Sequence, residues 1–214
     1  MKMIFLYVLV GVSVVHLVSR LFKGVIFQAV TKALLVPLIL AIYVSGGNKV
    51  FIPVVAALVF GWIGDILLIK IDDIRFFRLG LAAFLLGHII YIPSMLFPVE
   101  KINIIALVIS LLSGAALGFF IHRTIRPNRE MRIPSIAYES VIILLVASAV
   151  QLFLFKGHPF GTLVLTGSLF FIISDSMLAF FTFRSEPRIG QFLVMLTYIT
   201  AQLCIILGFA GIPH

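Results

Sequence analysis

Asp65 lies in the stretch FGWIGDILL and Asp175 in FFIISDSML, two carboxyl groups in runs that are otherwise almost wholly apolar. An aspartate at the centre of a lipid-spanning helix costs roughly 2.5–3.5 kcal/mol, somewhat less toward an interface, so a chain that keeps one has a partner or a reaction for it. Counted from the ends of their runs, Lys32 and Glu139 fall at the same level as the two aspartates, and His88, Tyr91, Tyr198 and Gln202 lie near the middle or slightly beyond. Several polar groups at one depth predict a shared pocket. Removing a carboxyl group from water favours its neutral form, and a neighbouring carboxylate favours it further, so a buried aspartate pair can hold one proton between them. One member then serves as proton donor, while the other stabilises a cation and activates water, the division found in glycosidases.

Each of these residues also has a purely structural reading. Asp65 could do no more than neutralise Lys32, and the hydroxyls of Ser174 and Ser176 could hold Asp175. A lone histidine inside a bundle, such as His88, often only bonds across helices. His16 has no obvious partner and reads as structural. His88 and Tyr91 share a face at i, i+3, and Tyr138 adjoins Glu139, so donors are at hand to orient the carboxylates.

The elements that position these groups are plain from hydropathy. The 214 residues are 62% hydrophobic and 11% charged, with a mean hydropathy of +1.25, values that exclude a soluble globular domain. Eight apolar runs fall near 3–19, 25–45, 50–69, 77–97, 102–121, 135–155, 160–183 and 189–210. Each is long enough to cross a hydrocarbon core of roughly 30 Å as a helix, and none has the alternation of a barrel strand. The expected fold is therefore an all-α integral membrane protein, residues 1–214 forming a single eight-helix transmembrane domain. The first run is long, with only Lys2 before it and Arg20 and Lys23 after it, and reads as an uncleaved anchor. The single cysteine, Cys204, excludes an intrachain disulfide and a thiol metal cluster.

The net charge of +8 is spread by topology rather than gathered into a nucleic-acid patch. Eleven basic residues follow spans 1, 3, 5 and 7 (Arg20, Lys23, Lys70, Arg75, Arg78, Arg123, Arg126, Arg129, Arg132, Arg184, Arg188), against four at the other side (Lys2, Lys49, Lys101, Lys156). The positive-inside rule puts the first set in the cytoplasm and both termini outside it. The short loops and small size point to a bacterial cytoplasmic membrane, with the pocket in its cytoplasmic half.

An offset of 110 residues aligns Phe60 with Phe170, Ile63 with Ile173, Asp65 with Asp175, Leu68 with Leu178, Arg78 with Arg188 and Gly80 with Gly190. The offset spans four helices, and an even number of crossings returns the chain to the same side. The halves would then be a 4+4 parallel repeat about an axis along the membrane normal, with the aspartates as symmetry mates. Gly61 and Gly64, Ala83 and Gly87, and Gly114 and Gly118 supply small faces for close helix packing.

FGWIGDILL, FFRLGLAAFLLGHIIY, AYESVIILL, GSLFFIISDSMLAF and LTYITAQLCI together resemble the YhhN family of multi-pass membrane proteins, from about Lys32 to Leu207. The resemblance implies a lysoplasmalogenase: hydrolysis of the vinyl-ether bond of an alkenyl lysophospholipid to a fatty aldehyde and glycerophosphoethanolamine or glycerophosphocholine, with Asp65 and Asp175 as the catalytic pair. The chemistry suits the residues independently. A vinyl ether resists base but yields to acid, since protonation of the carbon beta to oxygen gives an oxocarbenium ion that water captures. Near-symmetry leaves open which aspartate is the acid. The lysophospholipid would enter from the leaflet, its chain in an apolar cleft and its phosphate toward the cytoplasm, with Lys32 either a phosphate ligand or a counter-ion. The pocket is expected among spans 2, 3, 4, 6, 7 and 8, with His88, Tyr91, Tyr138, Glu139, Ser174, Tyr198 and Gln202 in support.

Two other classes compete. A proton-coupled lipid or small-molecule transporter also shows repeats and intramembrane carboxylates, although here the polar set is confined to one leaflet half and spans 3, 4, 7 and 8 lack paired Gly/Pro interruptions. A zinc hydrolase wants three ligands around an open position, whereas only His16 and His88 lie deep, and His122, His158 and His214 are at loops or the terminus. The expected reaction calls for water and no metal or cofactor; the sequence leaves the oligomeric state open.

Overall fold

The structure, a computed structural model, describes residues 2–22, 25–46, 49–70, 73–127, 129–183 and 188–212. Lys23, Arg184 and His214, which entered the charge and ligand arguments, lie outside the described residues. Eight helices account for the architecture: α1 (Lys2–Arg20), α2 (Val25–Val44), α3 (Ile52–Leu67), α4 (Ile74–Leu96), α5 (Ile104–Ile125), α6 (Arg132–Lys156), α7 (Phe160–Phe183) and α8 (Arg188–Ala210). A single 3-10 turn, Leu68–Lys70, extends α3. All eight are long and apolar enough to span a bilayer, as the hydropathy predicts, and together they mark an integral membrane protein. A helix pairs all its backbone groups internally, the requirement that lipid imposes.

The ends of the helices are set by local chemistry. Asp73 caps α4, its carboxylate accepting from the Arg75 amide at 2.9 Å, and Asn103 caps α5 through the Ala106 amide at 3.0 Å. Gly157 ends α6 at φ 64°, ψ −154°, a conformation open to little besides glycine. Pro93 lies inside α4 without ending it.

Packing follows the four-helix offset. The most extensive contact is α7 on α8, followed by α3 on α4; α1 packs on α2 as α5 does on α6, and α6 meets α4 as α2 meets α8. Shifting each partner by four helices maps these pairs onto one another. The mapping extends to residues, since Gly64 abuts Phe84 and the Ser174 hydroxyl donates to the Val194 carbonyl at 3.1 Å, both members of each pair 110 positions apart. The mates α1 and α5 are also the two least buried helices. Two contacts depart from the pattern: among the described residues α1 touches α8 with no comparable contact between α4 and α5, and α5 touches α7 with none comparable between α1 and α3.

Small residues let the paired helices approach. A methyl on Gly87 would stand 3.0 Å from the Ala57 carbonyl, and one on Gly167 would stand 2.7 Å from that of Ala201. Between the pairs lies a core that includes Leu35, Ile39, Leu58, Leu145, Leu152 and Ile205, while Ile105, Phe119 and other large apolar residues cover the outside, as a lipid-facing surface requires.

Candidate active site

Asp65, on the last turn of α3, is fully buried and paired with Lys32 of α2, Nζ to Oδ1 at 3.4 Å. Its second oxygen accepts a hydrogen bond from the Tyr198 hydroxyl of α8 at 2.7 Å. The Tyr198 oxygen accepts in turn from Gln202 Nε2 at 3.4 Å, and Gln202 Oε1 accepts from the Tyr91 hydroxyl at 3.1 Å. A line of side chains from α4 through α8 thus fixes the carboxylate in α3. Gly61 makes room for it, as a Cβ there would lie 3.1 Å from Gln202 Nε2.

Asp175, on α7, is half-buried and accepts from the Tyr138 hydroxyl of α6 at 2.9 Å. Among the described residues no cation stands within ion-pair distance of it. The asymmetry has a simple origin: the position 110 residues from Lys32 is Ile142. The expectation that Ser174 and Ser176 hold Asp175 is overturned. The Ser174 hydroxyl donates to the Val194 carbonyl at 3.1 Å, and that of Ser176 to the Ile172 carbonyl of its own helix, a bond that intrahelical serines commonly make.

Both aspartates border one cavity of about 120 Å3, room for a few water molecules or a polar headgroup fragment. Among the described residues no hydrogen bond joins the two carboxyls, so any shared proton would pass through what fills the cavity. The wall comes from the end of α1 and from α2, α3, α4, α7 and α8. It differs from the expected set in two ways. Arg20 of α1 enters it, and α6 does not, Tyr138 reaching Asp175 from a neighbouring cavity.

Other expected members take supporting places off this wall. His88 is buried behind it, its ring 4.8 Å from Phe171 and 5.8 Å from Tyr138, and Phe171 in turn stands 5.9 Å from Tyr198. His88 therefore touches Tyr138 and is linked to Tyr198 through Phe171. Its Nδ1 is buried without a hydrogen-bond partner among the described residues. Tyr91 and Gln202 act through Tyr198. Glu139 faces the neighbouring cavity and lies 3.8 Å from His122. His16 does have a partner, Thr31, its Nδ1 lying 2.8 Å from the hydroxyl oxygen. Among the described residues no group of three His, Cys, Asp or Glu side chains converges as a metal site would need.

Three polar residues of the wall escaped the sequence reading: Arg20, Gln28 and Gln191. Arg20 Nη1 lies 3.4 Å from Gln28 Oε1 and 3.5 Å from Gln191 Oε1. Spacing held the signal for two of them. Gln28 precedes Lys32 by four residues and Gln191 precedes Tyr198 by seven, each on the same helix face as its partner.

In comparisons with known proteins, the model of the YhhN family matches residues 27–209, most of the chain and all of the helices that carry the aspartates and their partners. No curated protein and no solved structure gives a match.

Proposed function

The chain belongs to the YhhN family, and we propose that it is a membrane hydrolase of lysoplasmalogenase type, cleaving the vinyl ether of an alkenyl lysophospholipid with Asp175 as proton donor and Asp65 as the resident carboxylate. The observation that carries this reading is that two intramembrane carboxyls border one cavity while, among the described residues, only Asp65 is ion-paired, with Lys32 at 3.4 Å. A cation beside a carboxyl stabilises its charged form, so Asp65 suits the ionised role and Asp175, which accepts from a neutral phenol, the protonated one.

The reaction then runs in three steps. Asp175 gives its proton to the vinyl carbon beta to oxygen, leaving an oxocarbenium ion in the cavity. The Asp65 carboxylate stabilises this cation across the cavity. Water adds to the carbon bearing oxygen, losing its proton to a carboxylate, and the resulting hemiacetal collapses to aldehyde and alcohol as the leaving oxygen is protonated. Water is consumed and the proton returned, so no redox partner is needed. Lys32, engaged with Asp65, fits the counter-ion role better than that of phosphate ligand. General acid and base groups of this kind each contribute about a hundred- to ten-thousand-fold.

The test is aldehyde release by the purified protein from an alkenyl lysophospholipid, beside fatty-acid release from its ester analogue. The proposal expects turnover of the vinyl ether alone, lost in Asp65→Asn and Asp175→Asn. Wild-type protein inactive on the vinyl ether would end the hydrolase reading; turnover surviving in both variants would move the site elsewhere.

A further inference from the structure

A second cavity, of about 70 Å3, lies against the first between α4, α5, α6 and α7, and Asp175 and Leu178 border both. Its wall is mainly aliphatic, including Leu81, Ile121, Ile142, Ile143 and Ile172, whereas the first cavity holds Arg20, Gln28, Lys32 and Gln191. The polar groups on the second wall are largely engaged: Tyr138 with Asp175, the Ser176 hydroxyl with its own helix, and Glu139 beside His122 with its side chain 26% exposed. Its outer side is α5, the least buried helix, which packs on α6, barely touches α7, and leaves Phe119 and Phe120 exposed. A molecule in the bilayer could reach this cavity without crossing the polar end of the bundle.

We infer that the second cavity is the subsite for the hydrocarbon chain of the lysolipid. It takes the stretch of chain next to the ether oxygen, and the rest runs along lipid-facing α5. On the hydrolase reading, on which this assignment rests, the scissile vinyl ether then sits at Asp175, the wall common to both cavities. The headgroup points into the Arg20 cavity. The cut falls where the apolar and polar parts of an amphiphile join, and the two cavities meet at the residue that must supply the proton.

Gly118 and Ala179 make the assignment testable, because both border the second cavity and neither borders the first. A Cβ on Gly118 would meet Ile143 at 3.4 Å and Glu139 at 3.9 Å, ordinary contact distances, so the position accepts a side chain and Gly118→Leu fills the space. The experiment measures kcat/KM of wild type, Gly11→Ala, Gly118→Leu and Ala179→Phe on alkenyl lysophospholipids with two-, ten- and eighteen-carbon chains. The two bulky variants are expected to lose about tenfold or more in the ratio of kcat/KM on the two longer chains to that on the two-carbon vinyl ether, which does not extend into the second cavity, and Gly11→Ala, which borders neither cavity and has nothing within 4 Å of its Cβ position, to match wild type. Folded variants with an unchanged chain-length profile, or with an equal loss at every length, would overturn the subsite. A second readout is independent of turnover: a non-cleavable alkyl lysolipid carrying a diazirine near the ether oxygen should label residues 118–125, 142–143 and 172–179. Labelling there in a protein that releases no aldehyde would keep the subsite and discard the hydrolase; labelling confined to α1 or α2 would discard the subsite.

Discussion

Lys32 Nζ lies 3.4 Å from Asp65 Oδ1 inside the bundle, with both side chains more than nine-tenths buried. Removing one partner of such a pair strands a charge, at a cost of about 3–5 kcal/mol, whereas removing both is far milder. Lys32→Met should therefore be markedly less stable in detergent than Lys32→Met/Asp65→Asn. Thermal unfolding of the three proteins checks the order; a single variant as stable as wild type would mean that the pair is not held in the folded protein.

Tyr138 and Tyr198 perform matching tasks on the two carboxyls, at 2.9 and 2.7 Å. A hydrogen bond to a charged carboxylate such as Asp65 is worth about 1.5–3 kcal/mol, and one to a neutral carboxyl such as Asp175 about 0.5–1.5 kcal/mol. Tyr198→Phe should lower kcat about 10- to 100-fold and Tyr138→Phe about 2- to 10-fold, each with little change in KM, as expected for groups that orient catalysts rather than bind substrate. Steady-state kinetics on the vinyl-ether substrate decides, and a change in KM alone would assign the tyrosines to binding.

Gly167 has the Ala201 carbonyl 2.7 Å from where its Cβ would be, while nothing lies within 4 Å of that position on Gly11. Gly167→Ala should destabilise the α7–α8 contact by about 1–3 kcal/mol through overpacking, and Gly11→Ala should be neutral or slightly stabilising. Equal melting temperatures for the two variants would contradict the close approach of α7 and α8.

The alternation of eight helices puts Arg75 and Arg78, at the start of α4, and Arg126 and Arg129, between α5 and α6, at one end of the bundle and Lys101 at the other. We propose that the basic end is cytoplasmic, following the positive-inside rule. In intact cells a membrane-impermeant maleimide should label Lys101→Cys and spare Arg129→Cys, each made in a Cys204→Ser background. The reverse pattern would invert the topology and place the aspartates in the outer half.

Much of this molecule is legible in its sequence because lipid leaves so few options. An apolar run of about twenty residues has to be a helix, and a lysine and an aspartate at one depth have strong reason to meet, as Lys32 and Asp65 do. What the sequence conceals is rotation about each helix. Ser174 and Ser176 look like ligands of Asp175, but their hydroxyls turn to backbone carbonyls, and Tyr138, from a different helix, takes the place. His16 finds Thr31 on α2, a register that no spacing within α1 discloses. Arg20, Gln28 and Gln191 lie near helix ends, where polar residues are expected for other reasons; spacing ties Gln28 to Lys32 and Gln191 to Tyr198, but the approach of Arg20 to both shows only in three dimensions.

The most direct test of the proton transfer from Asp175 is to run the reaction in deuterium oxide, trap the aldehyde at once by reduction, and locate the label. Protonation of the vinyl carbon predicts one deuterium on the carbon next to the carbonyl carbon in every wild-type turnover, and no turnover in Asp175→Asn. Aldehyde carrying no deuterium at that carbon, or labelled product formed at the wild-type rate by Asp175→Asn, would contradict it.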